Sequence, residues 1–463
     1  MTRTCHIRTF GCQMNKLDSS LTASALVEAD FSLTERAADA DVIVINTCSV
    51  REHAEARVLS HLGHLKHMKK TRPELVVAVI GCMAQRLGAE LLEHPAVNIV
   101  CGPAQLSRLP QLINEALSAA KKKTGLMAVT ENARRPASRD TDSLDEFERL
   151  YDDSDADIPG QAYVRAMHGC DRFCSYCVVP YVRGHELSRP PQAIRDQILR
   201  LVDHGVKQIT LLGQTINSYS YREGDKVWRL ADILEMAAAV EGVRWVRFIT
   251  SYPADFDQSI LRVMADVEKV CPYLHIPAQS GSDRILKAMN RHYTAAEYLA
   301  LLDKARDIVP GISVAGDFIV GFPGETEQDF MDTCDMLVKS RYKNAFIFRY
   351  SPRPGTRAEE RMVDDVPLEV KKERNTRLLE LQNSISERMN RDYIGMALEV
   401  MVEGPAKKPG LNSATDGICQ LMGRTATDHI VVFNGSPTLA GSFVKTKITR
   451  TSALTLFGDM VAE

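Results

Sequence analysis

The chain has 463 residues, an apolar share of 44% and a formal net charge of −3, enough for two or three domains with ordinary hydrophobic cores. The near-neutral balance excludes nucleic-acid binding driven by overall charge, so any RNA contact must be local. Eleven cysteines in an odd, scattered set do not read as the disulfide framework of a small secreted domain, and metal or redox use inside a cell fits them better. The amino terminus has no apolar targeting region and no run of about eighteen apolar residues occurs. The expectation is a soluble, cytoplasmic protein.

Residues 1–120 read as a parallel α/β domain. Apolar runs at 6–10, 42–46 and 75–81 have strand length, and 17–29, 53–67 and 85–94 have helical patterns. In such sheets ligands gather beyond the carboxyl ends of the strands. Cys12 (FGCQMN), Cys48 (NTCSVR) and Cys82 (IGCMAQ) each follow one of these runs, so three thiols distant in sequence are expected at one edge. A lone cysteine is as often a small buried hydrophobe, but three at equivalent positions argue for a shared site. Structural zinc is a competing occupant, although it usually takes four protein ligands and no fourth is evident. Cys5, Cys101, Cys271, Cys334 and Cys419 lack the pattern and are assigned to packing; His53, His61, His64 and His67 fall on a helix away from the strand ends.

Residues 121–158 form a charged linker. From 159 to 390, strands near 161–167, 208–212, 244–249, 273–277, 313–320 and 344–350 alternate with helices such as 191–204, 230–240 and 295–309. Six such units suggest a partial β/α barrel whose carboxyl-end loops form the active face. The compact triplet Cys170-x3-Cys174-x2-Cys177 follows the first of these strands. Its spacing offers three thiolates to a four-iron cluster and leaves one iron for a small molecule, whereas Cys174-x-x-Cys177 alone could be a redox dithiol. LGQTIN, PAQSGSD and GFPGETEQD lie at the same end. Ser282 and Thr326 can cap the helices that follow, Thr326 with Asp329 as a capping box.

Residues 391–456 read as a small antiparallel β-barrel of about five strands, with runs at 398–402, 418–422, 430–433 and 444–448. Basic residues gather at Arg341, Lys343, Arg349, Arg353 and Arg357, and again at Lys445, Lys447 and Arg450. A solvated charged surface is the plain reading of each group.

GCDRFCSYCVVPYVRG resembles the cluster motif of the radical S-adenosylmethionine (SAM) enzymes. With FGCQMN, NTCSVREHAEARV, GCMAQR, LHIPAQSGSDRILKAMNR, DFIVGFPGETEQDF and RYSPRPGT, the whole chain resembles the MiaB-type tRNA methylthiotransferases, ending in a TRAM-like tail. The resemblance implies that Cys170, Cys174 and Cys177 hold a 4Fe–4S cluster that binds and cleaves SAM. It further implies that Cys12, Cys48 and Cys82 hold an auxiliary 4Fe–4S cluster carrying the sulfur to be inserted. Tyr176 would pack near the SAM adenine, and Gln214, Asn217, Gln279 and Ser282 are candidate cofactor contacts. GQTIN stands where the family often has GQNVN.

The implied reaction adds a methylthio group to carbon 2 of N6-isopentenyladenosine beside the anticodon, with Lys445, Lys447 and Arg450 gripping the tRNA stem-loop. A flavodoxin- or ferredoxin-like electron donor and a sulfur donor are expected partners. Alternatives are the same chemistry on threonylcarbamoyl-adenosine of tRNA or on an aspartate of a ribosomal protein, or an iron–sulfur RNA-binding regulator without turnover.

Overall fold

The computed structural model describes residues 2–49, 52–119, 125–130, 145, 147–149, 151, 158–406 and 417–461. Most of the linker expected at 121–158 lies outside the described residues. The chain divides into two compact units. The first comprises Met1–Asp155, Met167–Phe173 and Cys177–Arg189, and the second Ala156–Ala166, Cys174–Tyr176 and Pro190–Glu463.

The first unit is built on six parallel strands, β1 (Arg3–Thr9), β2 (Phe31–Leu33), β3 (Val42–Thr47), β4 (Val76–Gly81), β5 (Ile99–Cys101) and β6 (Leu126–Ala128), in the order β2-β1-β3-β4-β5-β6. β3 and β4 are buried along their whole length, which is why VIVINT and VVAVIG carry almost unbroken β-branched sequence. Ile43, Ile45, Val77 and Val79 pack against Val58, Leu62 and Leu65 of the helix Glu52–Thr71. Three short strands, β2, β5 and β6, add to those read from sequence. The helical pattern at 85–94 is divided at Gly88 into Cys82–Leu87 and Ala89–Glu93.

The second unit opens with β7 (Gln161–Arg165). The residues after it return to the first unit, where β8 (Met167–His168) pairs antiparallel with β9 (Leu187–Ser188) and ties the base of the cysteine-bearing loop. The second unit continues with β10 (Gln208–Leu212), a hairpin of β11 (Ser220–Glu223) and β12 (Lys226–Arg229), then β13 (Trp245–Ile249), β14 (Tyr273–His275), β15 (Ser313–Val320) and β16 (Asn344–Arg349). Parallel pairing gives the triplets β7-β10-β13 and β14-β15-β16. A bond from Ser251 N–H to the His275 carbonyl (3.1 Å) and a bridge between Val246 and Val270 join them. The six strands thus follow one another as an open β/α barrel, with the helices Pro191–Asp203, Leu230–Ala238 and Ala295–Ile308 between them as the apolar periodicity predicts. The long helix Leu368–Asn390 covers β16, with Asn375 Nδ2 donating to the Ile347 carbonyl (3.0 Å).

The tail closes into a barrel of β17 (Ala397–Pro405), β18 (Cys419–Thr425), β19 (Ile430–Gly435), β20 (Phe443–Thr451) and β21 (Thr455–Met460), in the order β17-β18-β19-β21-β20. Four contacts are antiparallel, but β19 and β21 close the ring in parallel, because the hairpin partner of β20 returns between β20 and β19. Val400, Val402, Leu421, Val431, Phe433, Ile448 and Leu456 fill its interior. Arg247 of β13 reaches this barrel, donating to the carbonyls of Thr425 (2.5 Å) and Ala426 (3.1 Å). Lys343, read from sequence as part of a basic surface, is instead buried and paired with Asp428 at 2.9 Å. No helix among the described residues is long and apolar enough to cross a membrane.

Candidate functional site

The amino-terminal trio stands where the topology directs it. Cys12 follows β1, Cys48 follows β3 and Cys82 follows β4, and these strands are neighbours in the parallel sheet. Cys12 is the residue that starts the helix Gln13–Glu28, and Cys82 opens the helix Cys82–Leu87. The amino end of a helix carries partial positive charge and favours a thiolate. Cys12 and Cys48 are hydrogen-bonded side chain to side chain. That bond, with Arg183 and the backbone behind it, holds the Cys12 thiol down at about 6 against the opposing effect of burial. Burial pushes the Cys82 thiol up, and Arg183 opposes the rise.

A polar frame supports the three loops. Asn15 Nδ2 donates to Asn46 Oδ1 (2.9 Å) and to the Thr47 carbonyl (2.7 Å), while Asn46 Nδ2 returns a bond to the Asn15 carbonyl (2.8 Å). Asn15 Oδ1 accepts from the Cys12 thiol at 3.3 Å. Buried amides of this kind persist only when their donors and acceptors are met, and here they lock the turn bearing Cys12 to the end of the strand that leads into Cys48. Arg183, also buried in this unit, donates from Nε to Cys82 Sγ (3.3 Å) and from Nη2 to Asp18 Oδ2 (2.8 Å). None of Asn15, Asp18, Asn46 or Arg183 was singled out from sequence. The signal available was a polar residue set inside an apolar stretch, as in VIVINT and VVPYVRG.

The second trio lies on the loop after β7. In the first unit the Cys170 N–H donates to the Gly184 carbonyl (3.1 Å), and a Cβ on the preceding Gly169 (φ +77) would fall 1.9 Å from the His185 carbonyl oxygen, so the turn into Cys170 requires glycine. In the second unit Arg291 Nη1 donates to Cys174 Sγ (3.5 Å), Nε to the Tyr293 hydroxyl (2.9 Å) and Nη2 to the Pro277 carbonyl (2.8 Å). Ser175 is anchored through Oγ to the Ala288 carbonyl (2.9 Å). The Tyr176 ring meets Phe322 edge-on at 6.5 Å beside an apolar cluster of Ile285, Met289, Phe322, Tyr350 and Ala358.

The other cofactor candidates occupy different states. Gln214, just past β10, has its Oε1 buried without a hydrogen-bond partner among the described residues, as does Ser251 Oγ just past β13. Two orphaned polar atoms at the carboxyl ends of neighbouring strands fit a polar ligand. Among the described residues Gln279 bonds through its backbone, to the Asp317 carbonyl (2.7 Å) and from the Ile319 N–H (2.9 Å). Asn217 is engaged at both ends of its amide by the Tyr252 backbone (2.9 and 2.7 Å). Ser282 caps the helix Asp283–Ala288 and donates to Asp329 Oδ1 at 2.6 Å. Thr326 and Asp329 form the capping box read from sequence.

Both thiol sets have the donor chemistry of an iron–sulfur cluster. Among the described residues no three His, Cys, Asp or Glu side chains converge on a point fit for a single metal ion. Thiolates that hold a four-iron cluster stand around a body larger than one ion. Cys5, Cys101 and Cys271 are buried, and burial pushes their thiols up to about 12, 12 and 11, as befits inert packing residues. On the terminal barrel, Lys445, Lys447 and Arg450 are exposed along β20, with no ion pair among the described residues, and the Arg450 guanidinium lies 3.7 Å from the Phe457 ring centre.

Residues 4–102 match the Uncharacterized protein family UPF0004, and residues 164–337 match the Radical SAM superfamily. The chain is 41% identical to the tRNA-2-methylthio-N(6)-dimethylallyladenosine synthase of Rhodopirellula baltica over 99% of its own length and 95% of that protein's. It is 42% identical to the protein of that name from Moorella thermoacetica, over 99% and 98% of the two chains. In fold it is similar to the radical S-adenosylmethionine methyltransferase TsrM of Kitasatospora setae, with a TM-score of 0.53 at 15% identity over 78% of this chain and 77% of that one.

Proposed function

The chain belongs to the family of tRNA-2-methylthio-N(6)-dimethylallyladenosine synthases, and we propose that its two cysteine trios divide the reaction of that family between them. It is a radical SAM enzyme acting on tRNA, with a 4Fe–4S cluster and SAM as cofactors. Cys170, Cys174 and Cys177 hold that cluster; Cys12, Cys48 and Cys82 hold a second. The substrate is N6-isopentenyladenosine beside the anticodon, and the product bears a methylthio group on carbon 2.

The hydrogen on carbon 2 has no acidity that a side-chain base could exploit, so acid–base catalysis has nothing to act on. When bound, the clusters and SAM supply the carbon-centred oxidant and the sulfur, and the protein's part is placement and exclusion of water. Arg291 fixes the Cys174 thiolate, and the apolar cluster at Tyr176 dries its surroundings. Gln214 and Ser251 offer their unmatched polar atoms to SAM, and Gln279 a further contact. Asn217 and Ser282 hold loop and helix in place. Lys445, Lys447 and Arg450 take phosphates of the stem-loop, which sets position and leaves base choice to the active site. Electrons come from a flavodoxin- or ferredoxin-like donor and replacement sulfur from a separate donor.

The observation that carries this reading is the set of three thiols at the ends of three adjacent parallel strands, two of them hydrogen-bonded and the third bonded to a buried arginine. The test is the nucleoside profile of tRNA from a strain lacking the activity and carrying this chain. Appearance of 2-methylthio-N6-isopentenyladenosine supports the reading. Methylthiolation of threonylcarbamoyl-adenosine instead, or no change in tRNA, contradicts it.

A further inference from the structure

We propose that Arg183 is a positioning residue of the amino-terminal cluster, tuning its reduction potential and donating a hydrogen bond to its sulfur. This rests on the reading that Cys12, Cys48 and Cys82 hold an iron–sulfur cluster.

Arg183 is 5% exposed and ends the helix Val179–Arg183. Its guanidinium is held from two sides, by Asp18 at 2.8 Å and by Cys82 Sγ at 3.3 Å, and Asp18 is itself fully buried. Nη1 is buried and has no hydrogen-bond partner among the described residues. A buried ion pair is a poor source of stability, since apolar side chains of like volume often do as well, and a charged donor left unmatched costs still more. The pair is therefore placed here for something besides folding. Its surroundings indicate what: Cys82 is bonded to Arg183, and the guanidinium charge also acts on Cys12. The unmatched Nη1–H groups are donors awaiting an acceptor, and the acceptors a thiolate-bound cluster brings are its sulfur atoms.

Two consequences follow from charge and hydrogen bonding, both of which set cluster potentials. Reduction adds negative charge to the cluster, so a fixed guanidinium favours the reduced state and Asp18 opposes it. Arg183 and Asp18 therefore act in opposite directions on potential, although loss of either disrupts the same ion pair.

The test is a redox titration followed by electron paramagnetic resonance in the full chain with Cys170, Cys174 and Cys177 replaced by Ala, so that only the amino-terminal cluster is read. In that background Arg183→Gln shifts the midpoint to more negative potential, Arg183→Lys restores part of the shift because charge returns without the planar fork, and Asp18→Asn shifts it to more positive potential. If Arg183→Gln fails to retain iron, the sign of the Asp18→Asn shift decides. Unchanged midpoints, or shifts of one sign in Arg183→Gln and Asp18→Asn, overturn the proposal. Absence of iron from the background protein itself would instead remove the reading of the cysteine trio on which the proposal rests.

Discussion

Gly11 and Cys48 stand so close that a Cβ on the glycine would lie 2.5 Å from the Cβ of the cysteine, and 3.1 Å from the Asn15 side chain. The glycine has φ +135, a conformation that L side chains rarely adopt. The turn before Cys12 is thus shaped by the need to pass Cys48. Gly11→Ala is expected to spread the amino-terminal trio and leave the other unaltered. Iron per chain should fall from about eight toward about four, with SAM cleavage retained and methylthiolation lost.

Arg291 supplies a second check, in the other unit. It is buried, and its bonds to the Pro277 carbonyl, the Tyr293 hydroxyl and Cys174 tie three segments together. Arg291→Met removes one bond from the Pro277 carbonyl, which still accepts from the Tyr293 hydroxyl (3.3 Å), and one from that hydroxyl, which still donates to the Ala278 carbonyl (2.7 Å), so each loss costs about 1 kcal/mol. Denaturant unfolding of the cluster-free protein should show a stability loss of about 2 kcal/mol.

The role proposed for Lys445, Lys447 and Arg450, binding tRNA phosphates through charge, is tested by removing that charge. Replacing all three by Ala should weaken binding of an anticodon stem-loop and reduce the slope of log affinity against log salt by about 2–3. Discrimination between modified and unmodified adenosine should not change, because phosphate contacts carry no base information.

His429, buried in the terminal barrel with Nδ1 2.9 Å from Thr427 Oγ1, makes acid stability testable. Burial, and then the charge of Lys343, push the imidazole down to about 3, with Asp428 acting the other way. An unfolded imidazole titrates near 6.5, so between about 6.5 and 3 the unfolded chain takes up a proton that the folded chain does not. The contribution is fully present above 6.5 and is lost as pH falls through that window. Relative to His429→Gln, the cluster-free wild type should lose stability steadily between pH 6.5 and 4. Fluorescence of Trp245, packed edge-on against Phe443 of the same barrel at 4.8 Å, reports the transition.

Much of the fold was legible because local pattern and burial agree. VIVINT and VVAVIG read as buried strands and are buried strands, and the six barrel strands lie where apolar runs alternate with helical periodicity. The short β2, β5 and β6 escaped, since three-residue segments carry too little pattern to separate from loops. The parallel closure of β19 on β21 escaped for a different reason: pairing partners are not encoded in the alternation of a single strand.

The site was legible where chemistry is dense in sequence and opaque where it is assembled from afar. Six cysteines announced themselves by spacing or by position after strands. Asp18 and Arg183 are 165 residues apart and meet only through the fold. Asn217 looked like a polar contact because its type and loop position fit one, yet both ends of its amide hold the Tyr252 backbone. Lys343 looked like surface charge because composition cannot reveal that Asp428 waits for it in the terminal barrel.

If each trio carries its own cluster, iron analysis of three anaerobically reconstituted proteins will separate the two. About eight irons are expected in the wild type and about four when either trio is replaced by Ala, with SAM cleavage surviving only the loss of Cys12, Cys48 and Cys82. An iron count unchanged by removing those three residues would contradict separate clusters.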